Sequence, residues 1–111
     1  MVLEAEGLLS LGMPSAIAPR HAAPHFQHVF SGDGYAAGYY SYLWSEVLDA
    51  DAFEAFVEAG DVFDPALAER LRRFIYSAGG KRAPEALYQA FRGRAPDVGA
   101  LLRKRGLAEG P

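Results

Sequence analysis

Residues 35–59 run without a proline, and inside them Tyr40, Leu43, Trp44, Val47 and Leu48 recur at i, i+3, i+4, i+7 and i+8. That period predicts one amphipathic helix of about 25 residues, roughly 37 Å long. In a chain of 111 residues it is the dominant element, and the remaining punctuation is helical too. Leu3, Leu8, Leu9 and Leu11 have partly helical spacing over residues 1–12, stopping at Gly12 with Pro14 beyond. No capping residue precedes them, so this stretch reads as a helix end belonging to a fragment of something longer.

Further on, Asp64 and Pro65 offer an N-cap and a first helical residue, followed by Leu67, Leu71, Phe74 and Ile75 on one face until Gly79 and Gly80. Pro84 opens another helix with Leu87, Tyr88 and Phe91 on its apolar side, ending near Gly93. Asp97 caps a last one carrying Leu101 and Leu102, and Gly106 follows Arg103, Lys104 and Arg105, where positive charge suits a helix C-terminus. The expected fold is all-α, a single domain at most, with helices over 64–106. Prolines, a serine and glycines over 13–34 predict a short turn and an ordered loop instead.

Charge and composition exclude several function classes. A net charge of −3, with the eleven Lys and Arg mostly spread along the second half, argues against nucleic acid as a partner. No apolar run approaches the ~18 residues of a membrane span, and Glu4 and Glu6 stand where a signal peptide needs positive charge. Without cysteine there is no disulfide framework, thiolate metal site or Cys nucleophile, which fits a reducing, cytoplasmic setting.

On a wheel of ~100° per residue, Tyr35, Tyr39, Tyr42 and Glu46 fall within an arc of about 60°. Three phenols in a row offer donors to a peptide carbonyl or an oxyanion. The same pattern also suits half-buried tyrosines, each with one hydrogen bond at its tip. Gly32, Asp33 and Gly34 are either a plain turn or a place where backbone approaches a ligand. His21, His25 and His28 have zinc-like helical spacing, but Pro24 removes a backbone donor and pushes Ala23 from helical angles, so no metal site is expected of them.

The words HFQHVFSGDGYAAGYYSYLWSEVLDADAF resemble the stretch that follows the catalytic helices in zinc metallopeptidases of the thimet oligopeptidase and peptidyl-dipeptidase family. GMP, RHAAPHF, DVFDP, IYSAGG, LYQAFRGR and KRGL resemble the same family's C-terminal end, so the likeness covers residues 3–107. The wording is nearer the bacterial peptidyl-dipeptidase branch.

This resemblance implies a helical segment of a large, mostly α-helical, two-lobed peptidase with a deep channel. It implies zinc as cofactor, held by an HExxH helix and a glutamate in the upstream part, since no His-Glu pair exists in this sequence. His28, Tyr35 and Tyr42 are implied to face the scissile peptide and stabilise charge on its oxygen. Tyr39 with Gly32, Asp33 and Gly34 is implied to contact substrate backbone, the glycines permitting close approach and loop closure.

The expected function is therefore the C-terminal part of a zinc metallopeptidase that hydrolyses short peptides, releasing C-terminal dipeptides. Its partners are those peptides and the upstream catalytic portion, without which the chain is expected to be inactive. Two other readings stay open from the residues: a stand-alone helical module without catalysis, and an autonomous three-His metal protein.

Overall fold

The computed structural model describes residues 2–108, and the regular elements among them are all helical. The chain forms two compact units that meet in sequence at Ser41 and Tyr42.

The first unit opens on α1 (Val2–Ser10). Gly12 ends it at φ 76°, a left-handed angle that costs glycine nothing. Gly12 N–H then donates to the Leu9 carbonyl and Met13 N–H to the Leu8 carbonyl, both at 3.0 Å, the paired closure of a Schellman motif. A turn closed by Ile17 N–H on the Pro14 carbonyl follows. A single 3-10 turn at Ala23–His25 then leads into two four-residue helices, α2 (Gln27–Phe30) and α3 (Asp33–Ala36). Ala23 N–H donates to Glu4 Oε1 at 2.6 Å, tying this irregular stretch back to α1.

The helix expected over 35–59 is shorter than that. Its regular part is α4 (Ser41–Ala59), and residues 37–40 form a turn between α3 and α4. Ala37 leaves helical angles at φ −128°, ψ 12°, while Gly38 N–H reaches the Tyr35 carbonyl and Ser41 N–H the Gly38 carbonyl. Gly34 and Gly38 explain the break, because each glycine weakens a helix by about 1 kcal/mol relative to alanine. The shared wheel for Tyr35, Tyr39 and Tyr42 is therefore corrected: the three do not lie on one continuous helix.

The second unit follows the expected caps. After α4 come α5 (Pro65–Leu71), which runs on as a π-helical turn at Arg72–Tyr76, then α6 (Pro84–Arg92) and α7 (Val98–Lys104). Asp64 accepts from Leu67 N–H at 2.7 Å and Asp97 from Gly99 N–H at 3.0 Å, satisfying donors that helix starts leave open. Ser77 N–H reaches back five residues to the Arg72 carbonyl, closing the wide turn.

Two apolar clusters hold this unit. Val47 and Ala50 of α4 pack with Ala100 and Leu101 of α7. Ala55 and Phe56 of α4 pack with Tyr88 and Phe91 of α6, flanked by Leu67, Leu71, Phe74 and Ile75. Full burial of a side chain such as Phe91 contributes about 1.5–3 kcal/mol. Upstream of Val47 the predicted apolar stripe is uncovered: Tyr40 is 72% exposed, Leu43 54% and Trp44 50%.

Candidate active site

The Gly-rich stretch of the first unit builds an aromatic cluster beside a cavity. His28 stands on α2, Tyr35 on α3, and Tyr39 in the turn that follows. The His28 ring centroid lies 5.8 Å from that of Tyr35 and 5.5 Å from that of Tyr39, and the two tyrosine rings are 5.8 Å apart. All three pairs meet edge to face, which sets the positive rim of one ring on the negative face of the next. Phe26 completes the cluster, 4.5 Å from Tyr39 in the same geometry and 5.8 Å from His28. Each such pair contributes about 0.5–1.5 kcal/mol beyond burial, so the donors are held by one another.

Beside this cluster is a cavity of about 280 Å³ lined by Gln27, His28, Ser31, Gly32, Gly34 and Tyr35. Gly32 N-caps α3 at φ 152°, ψ 178°, a conformation open to glycine and strained for any side chain. Asp33 begins α3. At Gly38 a Cβ would come within 3.3 Å of the Gly34 carbonyl oxygen, so the turn carrying Tyr39 is drawn close to α3.

His28, Tyr35, Tyr39, Gly32 and Gly34 thus come together within the first unit. Tyr42 is the second residue of α4 and is exposed, in the second unit. Phe26, Gln27, Ser31 and Gly38 were not singled out in the sequence. Gln27 and Ser31 are four apart, a signal that becomes visible only once 27–30 is known to be helical.

The cavity presents an imidazole and a phenol beside exposed loop backbone, a set able to donate hydrogen bonds to carbonyl oxygens of an extended peptide. Among the described residues no group of three His, Cys, Asp or Glu side chains could hold a metal ion. Nor, among them, is any helix long and apolar enough to cross a membrane.

Residues 6–107 match the family model described as peptidase family M3. The chain belongs to that family. This M3 chain is 51% identical over 86 residues to oligopeptidase A of Haemophilus influenzae, covering 77% of the chain and 12% of that relative. It is 52% identical over 85 residues to a probable cytosolic oligopeptidase A of Arabidopsis thaliana, covering 74% of the chain and 12% of the relative. Against the dipeptidyl carboxypeptidase of Escherichia coli the figures are 44% over 92 residues, 83% of the chain and 13% of the relative. The M3 chain therefore spans about an eighth of the length of these relatives.

Proposed function

We propose that this M3 chain forms the substrate side of a zinc-dependent oligopeptidase active site and works with an upstream catalytic portion. The observation that carries this is the convergence of His28, Tyr35 and the Gly32 and Gly34 backbone on one cavity, with Tyr39 packed against both rings. Zinc would be held by the upstream portion, because this chain's described residues do not fit a metal.

The chain's own residues bind and stabilise. His28 and Tyr35 donate hydrogen bonds to the oxygen of the scissile carbonyl as negative charge grows on it. One such donor is typically worth ~10²–10³ in rate. Tyr42, on the second unit, takes the same role by family resemblance. Tyr39 and the Gly32-Asp33-Gly34 backbone hold the extended substrate chain, with no Cβ at either glycine to block its approach. The setting is cytoplasmic, and the substrates are short peptides.

The finer reading is release of C-terminal dipeptides, supported by the wording of the loop and by the likeness to dipeptidyl carboxypeptidase. Internal cleavage is the second reading, favoured by the higher identity to oligopeptidase A. Both are tested in a chimaera in which this chain replaces the matching segment of the E. coli dipeptidyl carboxypeptidase. A folded chimaera should hydrolyse oligopeptides, and Tyr35→Phe should lower kcat about 10²-fold. A folded chimaera without turnover, or one indifferent to Tyr35→Phe, overturns the active-site reading. Products then decide the mode: strict dependence on an unblocked C-terminal carboxylate supports dipeptide release, whereas equal cleavage of C-terminal amides supports internal cleavage.

A further inference from the structure

The second unit carries an apolar groove of about 660 Å³ whose lining shares no residue with the cavity at His28 and Tyr35. One wall is the α4 ridge of Trp44, Leu48 and Phe56, with Phe53 at its edge. The other includes Leu71 and Ile75, from α5 and the π-helical turn that extends it. Trp44, Leu48, Ala52 and Phe56 follow one another at intervals of four, the ridge that packs against another helix in the commonest class of helix crossing. A valley between two helical walls with such a ridge along it takes a third helix by its apolar side.

Charge says more about that helix. Elsewhere in this unit, Arg70 donates to the carbonyls of Ala90 and Phe91, and Arg72 pairs with Glu69. Arg92 pairs with Glu58, Arg94 with Asp51, Arg103 with Glu54 and Arg105 with Glu46. Arg82 lines the groove together with Asp49, which Lys104 engages, and Glu85; like Arg73 and Lys81, the Arg82 side chain has no carboxylate or carbonyl acceptor among the described residues. Its guanidinium suits a carboxylate brought by the occupant.

The M3 relatives are about eight times as long as the stretch matched here, so most of the family's polypeptide lies outside it. We infer, on the strength of the M3 reading above, that this groove seats an amphipathic helix from that outside portion, with an acidic side chain on Arg82. The groove is thus where the substrate-side segment docks onto the catalytic portion. Phe53, 58% exposed, and Trp44 are the apolar anchors.

Trp44 is the only tryptophan of the chain and reports on the groove directly. The 111-residue chain labelled with 5-fluorotryptophan is titrated with E. coli dipeptidyl carboxypeptidase lacking the segment that matches this chain. The single ¹⁹F resonance should shift, and sedimentation should give a one-to-one complex. Phe53→Asp and Arg82→Glu should each weaken it at least tenfold, while Val57→Asp, at an exposed position outside the groove, should not. All three positions are exposed, and circular dichroism checks that each variant keeps its helices.

Failure to form the complex, or affinity left unchanged by Phe53→Asp and Arg82→Glu, overturns the docking site. A concentration-dependent dimer of the chain alone, dissolved by Phe53→Asp, overturns it in favour of a second copy as occupant. Because the readout is binding, its failure is distinct from that of the catalytic reading: complex formation can hold while turnover fails, and the reverse.

Discussion

Tyr88 donates its hydroxyl hydrogen to Asp51 Oδ2 at 2.7 Å, joining α6 to α4 across 37 positions of sequence. Asp51 has no exposed surface. Arg94 donates to its other oxygen at 2.7 Å, and Arg92 Nε lies 3.4 Å from Oδ2. Arg92 in turn grips Glu58 through two hydrogen bonds of 2.6 and 2.7 Å. A carboxylate this deep is tolerated only with such partners, because leaving either charge buried alone is strongly unfavourable.

Removing the carboxylate should therefore cost as much as truncating a large core side chain. Asp51→Ala is expected to destabilise the chain by about 3–5 kcal/mol, and Tyr88→Phe by about 1–3 kcal/mol through the unsatisfied acceptor it leaves. Chemical denaturation measures both. The double variant should fall short of the sum, because the two share one interaction. Losses below about 0.5 kcal/mol for both single variants, the usual range of surface substitutions, would show that the network is dispensable.

The same network sets the pH window. Burial first, then the hydrogen bond to Asp51, raises Tyr88 above its ordinary 10.0. The folded state thus keeps the proton that the unfolded state loses, so stability is complete below pH 10.0 and declines above it. Tyr88→Phe should remove that decline. At the acid end, the Arg92 hydrogen bond holds Glu58 below its ordinary 4.5. Its contribution is present above 4.5 and is lost as pH falls through the lower folded value. Thermal melts of Glu58→Gln should show a shallower acid limb. An unchanged profile in both variants would contradict the assignment.

Gly32 and Gly34 should respond differently to alanine. At Gly32 the backbone stands at φ 152°, so Gly32→Ala should cost about 1–3 kcal/mol or shift α3 and with it Tyr35. At Gly34 a Cβ would meet nothing within 4 Å, and φ lies outside the positive range, so Gly34→Ala should be mild. Near-UV circular dichroism of the ring cluster is the measurement. Equal responses would mean that the loop lacks the rigidity read here.

By itself the chain should hydrolyse no peptide even with added zinc, since among the described residues no side-chain group could hold the ion. Incubation with a fluorogenic oligopeptide tests this. Turnover abolished by a chelator and restored by zinc would sink it.

Much was legible before any coordinates. Asp64, Pro65, Pro84, Asp97 and Gly106 mark helix ends through chemistry confined to a few neighbouring residues, and the helices start and stop at them. The loop's wording was enough to place the chain in its family. The break at 37–40 was not legible, because a helical wheel assumes the helix it is drawn on, and two glycines tip a marginal segment only when packing offers an alternative. Tyr39 found one in Phe26 and His28. Asp51 was invisible for a different reason. A lone aspartate in mid-helix looks like any solvated side chain, and its partners Tyr88 and Arg94 stand 37 and 43 positions away. Local chemistry determined where the helices begin and end. Only tertiary packing, which decides what each helix face meets, could bury that charge and leave Trp44 and Phe53 uncovered.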